Sequence, residues 1–88
     1  MPYIKEERRN ALDAFGDPHK HGYQCAAVGE LNFIFTCAAL GYLERHGLSY
    51  QTINDIRGAL SGAQAEFERR VAYPYEDAKK EINGDVYP

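Results

Sequence analysis

The pattern that most constrains the fold is the spacing of apolar residues near the end of the chain. Between residues 49 and 73 they recur at intervals of 3, 4, 3, 4 and 4, at Ile53, Ile56, Leu60, Ala63, Phe67 and Val71. This spacing places them on one helical face, close to the heptad seam through which helices pair. The segment therefore predicts a long helix over 49–73 that packs its seam against another helix.

The preceding residues predict two further helices. Apolar residues at helical spacing indicate a first helix over about 4–15 and a second over about 25–46, with a polar loop at 17–23 between them. Gly47 suits the end of the second helix, because glycine adopts the left-handed conformation freely. Ser49 suits the N-cap of the third, because its hydroxyl can accept a backbone N–H. The connection between the second and third helices is short, which predicts that they form an antiparallel hairpin. The seam would then pack against residues 26–46.

Pro74 predicts a break in the long helix after Tyr73, because proline lacks the backbone N–H and clashes with the preceding turn. Proline also starts helices well, so a short C-terminal helix is expected over 74–83, closed by Gly84. The fold class predicted for residues 1–88 is all-α: one helical domain with a short first helix, a hairpin and a proline-broken last helix.

The size and charge of the chain limit what it can do. A chain of 88 residues has room for one small core and gains stability from association, so we expect a homo-oligomer. A net charge of −3 argues against binding long nucleic acid, which requires a dense basic surface. The uncharged apolar run over 31–43 is too short to span a bilayer, which takes ~20 residues. Without a signal peptide pattern at the start, a soluble cytoplasmic protein is expected.

Cysteine and histidine residues do not form a convincing reactive site. Cys25 and Cys37 lie in apolar surroundings and are expected to be buried free thiols in a reducing compartment. His19, His21 and Cys25 have the spacing H-x-H-x₃-C, but no second pair of zinc ligands follows at suitable spacing, so no metal or cofactor is predicted. With no nucleophile–base–orienter set and no separated carboxylate pair, we expect no enzyme activity and no catalytic residue.

Basic and aromatic residues are the candidates for ligand binding. Arginine side chains suit phosphates and tyrosine rings stack on bases, so groups from several subunits could hold a small nucleotide. The ordinary alternative is that the arginines form surface ion pairs, for example Glu66 with Arg70. The candidate ligand-binding residues are Arg57, Arg69, Arg70, Tyr73, Tyr75, Lys5, Arg8 and Tyr3.

A second face of the long helix carries small residues, Gly58, Gly62 and Ala65, opposite the seam. Glycine inside a helix costs about 1 kcal/mol relative to alanine, so helix propensity does not explain two of them. Small residues four positions apart allow another helix to approach closely, which predicts an oligomer interface. Tolerated surface glycines are the alternative.

Several motifs resemble a family of small uncharacterised proteins from tailed phages and prophages. They are the MPYI start, GELNF at 29–33, SYQTINDIRGAL from Ser49, RRVAYPYED at 69–77 and INGDVY at 82–87. The resemblance covers most of the chain except residues 14–28. It implies a phage protein but no functional residues, because the family has no established activity.

A second resemblance concerns about 20 residues of the helical hairpin and the sequence from Phe67 to Pro74. This part is similar to phage anti-CBASS and anti-Thoeris sponges, oligomers that sequester cyclic-nucleotide immune signals. The resemblance implies a phage counter-defence protein that binds a cyclic nucleotide without catalysis in the cytoplasm of the infected bacterial host. The alternative is a non-catalytic protein-interaction module, a phage accessory protein or inhibitor that docks on a host protein through its apolar and glycine-lined faces.

Overall fold

The computed structural model describes residues 4–87 and confirms the all-α class, since every regular element in that range is helical. A π-helical segment at Glu68–Ala72 connects the last two α-helices. The α-helices are α1 (Glu6–Asp13), α2 (Pro18–Gln24), α3 (Val28–His46), α4 (Tyr50–Phe67) and α5 (Tyr73–Asn83). Contacts divide the chain into two compact units, residues 4–57 and residues 58–87, with the division inside α4.

The prediction of a polar loop at 17–23 is wrong, because α2 occupies this segment. Asp17 is the N-cap of α2, and its carboxylate accepts the backbone N–H of His19 at 3.0 Å. Pro18 lies in the first turn, where its missing N–H leaves no helical hydrogen bond unmade. Asp17 and Pro18, which the predicted loop included, therefore start a helix.

At the turn between α3 and α4, Gly47 and Ser49 lie at the helix ends where they were predicted. Gly47 ends α3 with φ +84°, a conformation that side chains with a Cβ rarely adopt, and its N–H donates to Leu43 O at 2.8 Å. Ser49 Oγ accepts the backbone N–H of Thr52 at 3.1 Å, which is the expected N-cap bond. The side chain of Tyr42 approaches Asp55 across the turn, with Oη and Oδ2 3.5 Å apart. The end of α3 and the first turns of α4 are thus neighbours within residues 4–57.

The chain is helical on both sides of Tyr73, so the break predicted there does not occur, and α5 lies where the short C-terminal helix was predicted over 74–83. Instead, the π-helical segment precedes α5, and Pro74 lies in the first turn of α5. In a π-helix each N–H bonds five residues back, so the carbonyls next to the proline ring are displaced from their α-helical positions. The chain accommodates Pro74 by widening one turn rather than by stopping.

Among residues 4–87 no apolar side chain is buried, and Thr52, which is 5% exposed, is the only buried residue. Along the seam, Ile53 and Ile56 are half-buried, whereas Leu60 and Phe67 are exposed. Of the predicted seam, Ile53 and Ile56 are thus partly buried within residues 4–57, and the large side chains of the seam in residues 58–87 are exposed. Ordering the backbone costs about 1–2 kcal/mol per residue, which apolar burial must offset.

Candidate functional site

Apolar side chains converge at an open groove of about 270 Å³ between the end of α3 and the start of α4. The short turn from Gly47 to Ser49 joins the two helices, and residues of both line the groove. Six of the seven lining residues are apolar; the set is Ala39, Leu40, Leu43, Leu48, Ile53, Ile56 and Arg57. We call this the hairpin groove. A groove of this composition suits an apolar group of about side-chain size, below the ~300 Å³ typical of small-molecule sites.

Arg57 supplies the charge of the hairpin groove. It lies one residue after Ile56, at the border of the groove along α4. A guanidinium group donates in a planar fork that matches a carboxylate or a phosphate oxygen pair. The groove can therefore bind an apolar group that has an anion beside it.

Leu48 is the groove residue that the sequence reasoning missed. It precedes the N-cap Ser49, and Ile53 follows four positions after that cap. An apolar residue directly before the cap and another at the fourth helical position form the hydrophobic-staple pattern. That local pattern was present in the sequence and marks both residues as belonging to one apolar cluster.

Arg69 is held at the surface by Glu66. Its Nη2 lies 2.8 Å from Glu66 Oε1 and 2.9 Å from Oε2, and its Nε donates to Oε1 at 3.3 Å. The side chain of Arg69 is well exposed, so the bond is a surface ion pair of the type worth 0–1 kcal/mol in ~0.1 M salt. A phosphate group bound by this guanidinium would have to displace the ion pair with Glu66.

Tyr73 and Tyr75 are both engaged within residues 58–87. Tyr73 Oη donates to Glu68 Oε2 at 2.9 Å, and this bond, with the negative charge of Glu68, raises the pKa of Tyr73. The Nζ of Lys79 lies 5.6 Å from the centre of the Tyr75 ring. Both rings remain exposed and can still offer a stacking surface.

The candidate ligand-binding residues are distributed over both units. Residues 4–57 contain Lys5, Arg8 and Arg57, and residues 58–87 contain the other four described candidates, Arg69, Arg70, Tyr73 and Tyr75. Tyr3 lies outside the described residues. Within residues 4–57, Lys5 and Arg8 are exposed at the start of α1.

The small residues predicted as an interface have space around them. A Cβ added to Gly58 would meet no atom within 4 Å, so no close contact inside the chain requires glycine there. Gly62 is half-buried and Ala65 is exposed. The interface assigned to Gly58, Gly62 and Ala65 stays a prediction.

Both cysteines are free, but neither is buried as expected. Cys37 is exposed on α3, and Cys25 is half-buried directly after α2, with its Sγ 3.1 Å from His21 O. Within residues 4–87, His, Cys, Asp and Glu form no group of three or more that could hold a metal ion. Over the same residues, no helix is long and apolar enough to cross a membrane.

These features describe a small all-α protein with an apolar hairpin groove. Residues 1–86 match the family model described as a domain of unknown function, DUF6899, so the chain belongs to this uncharacterised family. Comparison with curated proteins gives no match, and comparison with solved structures gives none either.

Proposed function

We propose that this protein is a non-catalytic protein-interaction module, with the hairpin groove as its docking site. The observation that supports this proposal is the composition of the groove: six apolar residues and Arg57. The partner would present an apolar side chain with a carboxylate next to it, and Arg57 would pair with that carboxylate. In keeping with the family resemblance, the protein would be a phage accessory protein or inhibitor, and the partner a host protein.

Size and polarity favour a protein side chain over a nucleotide in this groove. A cyclic nucleotide carries charged phosphates and polar sugars, and burying these against aliphatic side chains without hydrogen bonds is unfavourable. One guanidinium can satisfy one phosphate, and the remaining polar atoms would face leucine and isoleucine. An aliphatic or aromatic side chain gains from the same lining by the hydrophobic effect.

The test is site-specific photocrosslinking in the host cell. A benzophenone amino acid at Leu48, in the groove, is compared with the same group at Tyr23, which is similarly exposed but outside the groove. We expect one discrete crosslinked host protein at Leu48 and none at Tyr23, and loss of that product when Arg57→Glu is added. Equal products at both positions, or a product unaffected by Arg57→Glu, would contradict the proposal.

A second candidate is sequestration of a cyclic nucleotide signal, in which arginine and lysine side chains from more than one subunit hold the phosphates and tyrosines stack on the bases. The candidate phosphate-binding residues are Arg57, Arg69, Arg70, Lys5 and Arg8. The observation that favours it is a hollow of about 510 Å³ in residues 75–87, whose lining includes Tyr75, Tyr87, Lys79 and Lys80. The hollow is large enough for a small molecule, and tyrosine rings stack on bases. Glu76, Asp77 and Asp85 also line it, and their charges oppose a phosphate.

Thermal unfolding against cyclic di- and trinucleotides and cyclic ADP-ribose isomers tests this candidate. A ligand at a hundredfold excess over Kd stabilises the native state by about 2.7 kcal/mol, which raises Tm by several degrees. Sequestration predicts such a shift with one compound, recovery of that compound intact, and loss of the shift in Arg69→Ala. A flat response to all compounds removes these signals as ligands. If the protein instead binds a partner protein through the glycine-lined face (Gly58, Gly62 and Ala65), Gly58→Leu and Gly62→Leu should weaken that binding.

A further inference from the structure

The hairpin groove has two helical walls and very little polarity. Its lining residues lie within one turn on each helix: Ala39, Leu40 and Leu43 on α3, and Ile53, Ile56 and Arg57 on α4. Leu48, in the turn that joins the helices, completes the set. Whatever covers the groove has to match a lining of aliphatic side chains contributed by both walls.

Burial separates a floor of the groove from a rim. The floor consists of the half-buried residues Ala39, Leu43, Ile53 and Ile56. Leu40 and Leu48 are more open, with exposed fractions of 56 and 80%, and Arg57 is exposed as well. Aliphatic side chains on the rim gain by the hydrophobic effect when a partner covers them. The groove therefore favours a partner that is wide enough to cover the rim as well as to fill the floor.

The lining gives an incoming peptide backbone almost nothing to bond with. An extended or polyproline segment brings unpaired N–H and C=O groups, and each costs free energy when it is buried without a partner. A peptide that adds to a sheet bonds to an exposed strand edge, and residues 4–87 contain no strand. Grooves that bind polyproline segments are lined by aromatic rings, whereas the hairpin groove is lined by aliphatic side chains.

An α-helix avoids this cost, because it satisfies its own backbone hydrogen bonds and presents only side chains. The apolar face of an amphipathic helix is a stripe rather than a single side chain. Such a stripe can fill the floor and at the same time cover Leu40 and Leu48 on the rim. Apolar grooves between helices bind amphipathic helices in this way in other proteins.

Arg57 determines the charge that this partner helix must carry. Within residues 4–87, the guanidinium of Arg57 has no hydrogen bond or ion pair. Arg57 lies four residues after Ile53 on α4, which is one turn, or about 6 Å along the helix axis. Residues three or four positions apart also share a face on the partner helix. A carboxylate at that spacing from an apolar anchor would therefore reach Arg57 while the anchor contacts the floor.

We infer that the hairpin groove binds an amphipathic α-helix whose apolar anchor has an acidic residue three or four positions away. This inference rests on the proposed function, because it identifies the structure of the partner segment that docks there. It also distinguishes two classes of partner, since in an extended segment the residues that share a face are two positions apart.

The test is selection of binders to the full-length protein from a displayed library of random peptides of about 16 residues, long enough to form a helix. Selected peptides are measured against the natural protein, Arg57→Glu and the matched control Arg45→Glu, which is exposed at the end of α3 and outside the groove. Circular dichroism checks that both variants remain helical. We expect peptides with the inferred helical spacing, weaker binding to Arg57→Glu only, and recovery of that binding when the acidic residue of the peptide is changed to lysine.

Proline on the solvent-facing side of a selected peptide separates a helix from other conformations. We expect the affinity to fall by roughly tenfold or more, because proline breaks a helix interior. Peptides that require Arg57 but have alternating spacing or tolerate proline would overturn the helical partner and leave the groove as a docking site. Peptides unaffected by Arg57→Glu, or the absence of any enriched peptide, would instead contradict the proposed function itself.

Light scattering of the protein without peptide tests whether a second copy covers the groove. Leu48→Glu changes the groove, and Tyr23→Glu changes a similarly exposed residue outside it. We expect both variants to have the same mass in solution as the natural protein. Dissociation of an assembly by Leu48→Glu alone would show that a second copy is the occupant and would overturn the inference.

Discussion

Residues 4–57 and residues 58–87 obtain their structure in different ways. In the first unit, hydrogen bonds at helix ends determine where helices start and stop, and the turn from Gly47 to Thr52 contains the buried Thr52. The second unit is a helical run whose described side chains are all at least partly exposed, and its notable feature is the register of its apolar face. Local capping thus specifies the first unit, whereas the second is specified by the spacing of apolar residues along one helical run.

The largest effect is expected at Gly47, which has φ +84°. Gly47→Ala places a Cβ in a backbone conformation that costs about 1–3 kcal/mol for other residues, and we expect a loss of this size in the free energy of unfolding by urea. Gly41→Ala is the matched control, because Gly41 is inside α3 and a Cβ there meets no atom within 4 Å. The control should gain about 1 kcal/mol from helix propensity. Equal effects at the two glycines would show that the turn does not specify this unit.

The N-cap at Ser49 is expected to have the next largest effect. Ser49→Ala removes the acceptor for the Thr52 N–H and should lower the free energy of unfolding by about 1 kcal/mol. Hydrogen exchange should rise in peptides from the start of α4, while those from α5 should be unchanged. Ser49→Asp, which retains an acceptor, is the control. A uniform rise along the chain would mean that the two units unfold together.

How much of this structure could be predicted from the sequence follows from the same contrast. Gly47 and Ser49 were correctly identified, because each acts through its own backbone geometry. The π-helical segment was not predicted. Proline in a sequence indicates a helix break, and the sequence does not show that the preceding turn can widen instead. Asp17 and Pro18 were predicted to lie in a loop, because the same residue types also occur in turns. For the hairpin groove, the spacing of Leu48 and Ile53 was informative, but the position of Arg57 beside it required the fold.

Gly58 tests the second unit with a smaller effect. Because a Cβ there has open space within the chain, Gly58→Ala should raise the free energy of unfolding by up to about 1 kcal/mol. The mass in solution, measured by light scattering, should be unchanged if copies of the chain do not meet through the glycine-lined face. A loss of stability together with dissociation would instead place a second copy against the glycine-lined face.

The smallest effect is expected at Tyr73 and is visible only in its pH dependence. The hydrogen bond to Glu68, with the charge of that carboxylate, raises the pKa of Tyr73 above its ordinary value of about 10. A raised pKa in the folded state means that the protonated hydroxyl stabilises the fold below pH ~10, and that this contribution is lost as the pH rises through the folded-state pKa.

The natural protein should therefore be more stable than Tyr73→Phe between pH 8 and 9, as measured by the midpoint of urea unfolding, and the difference should shrink above pH ~10. Comparing the two proteins cancels the titration of the other tyrosines. Tyr75→Phe serves as the control, since the structure gives the Tyr75 hydroxyl no such bond among the described residues. A difference that stays constant across this range would show that the Tyr73–Glu68 bond does not stabilise the second unit.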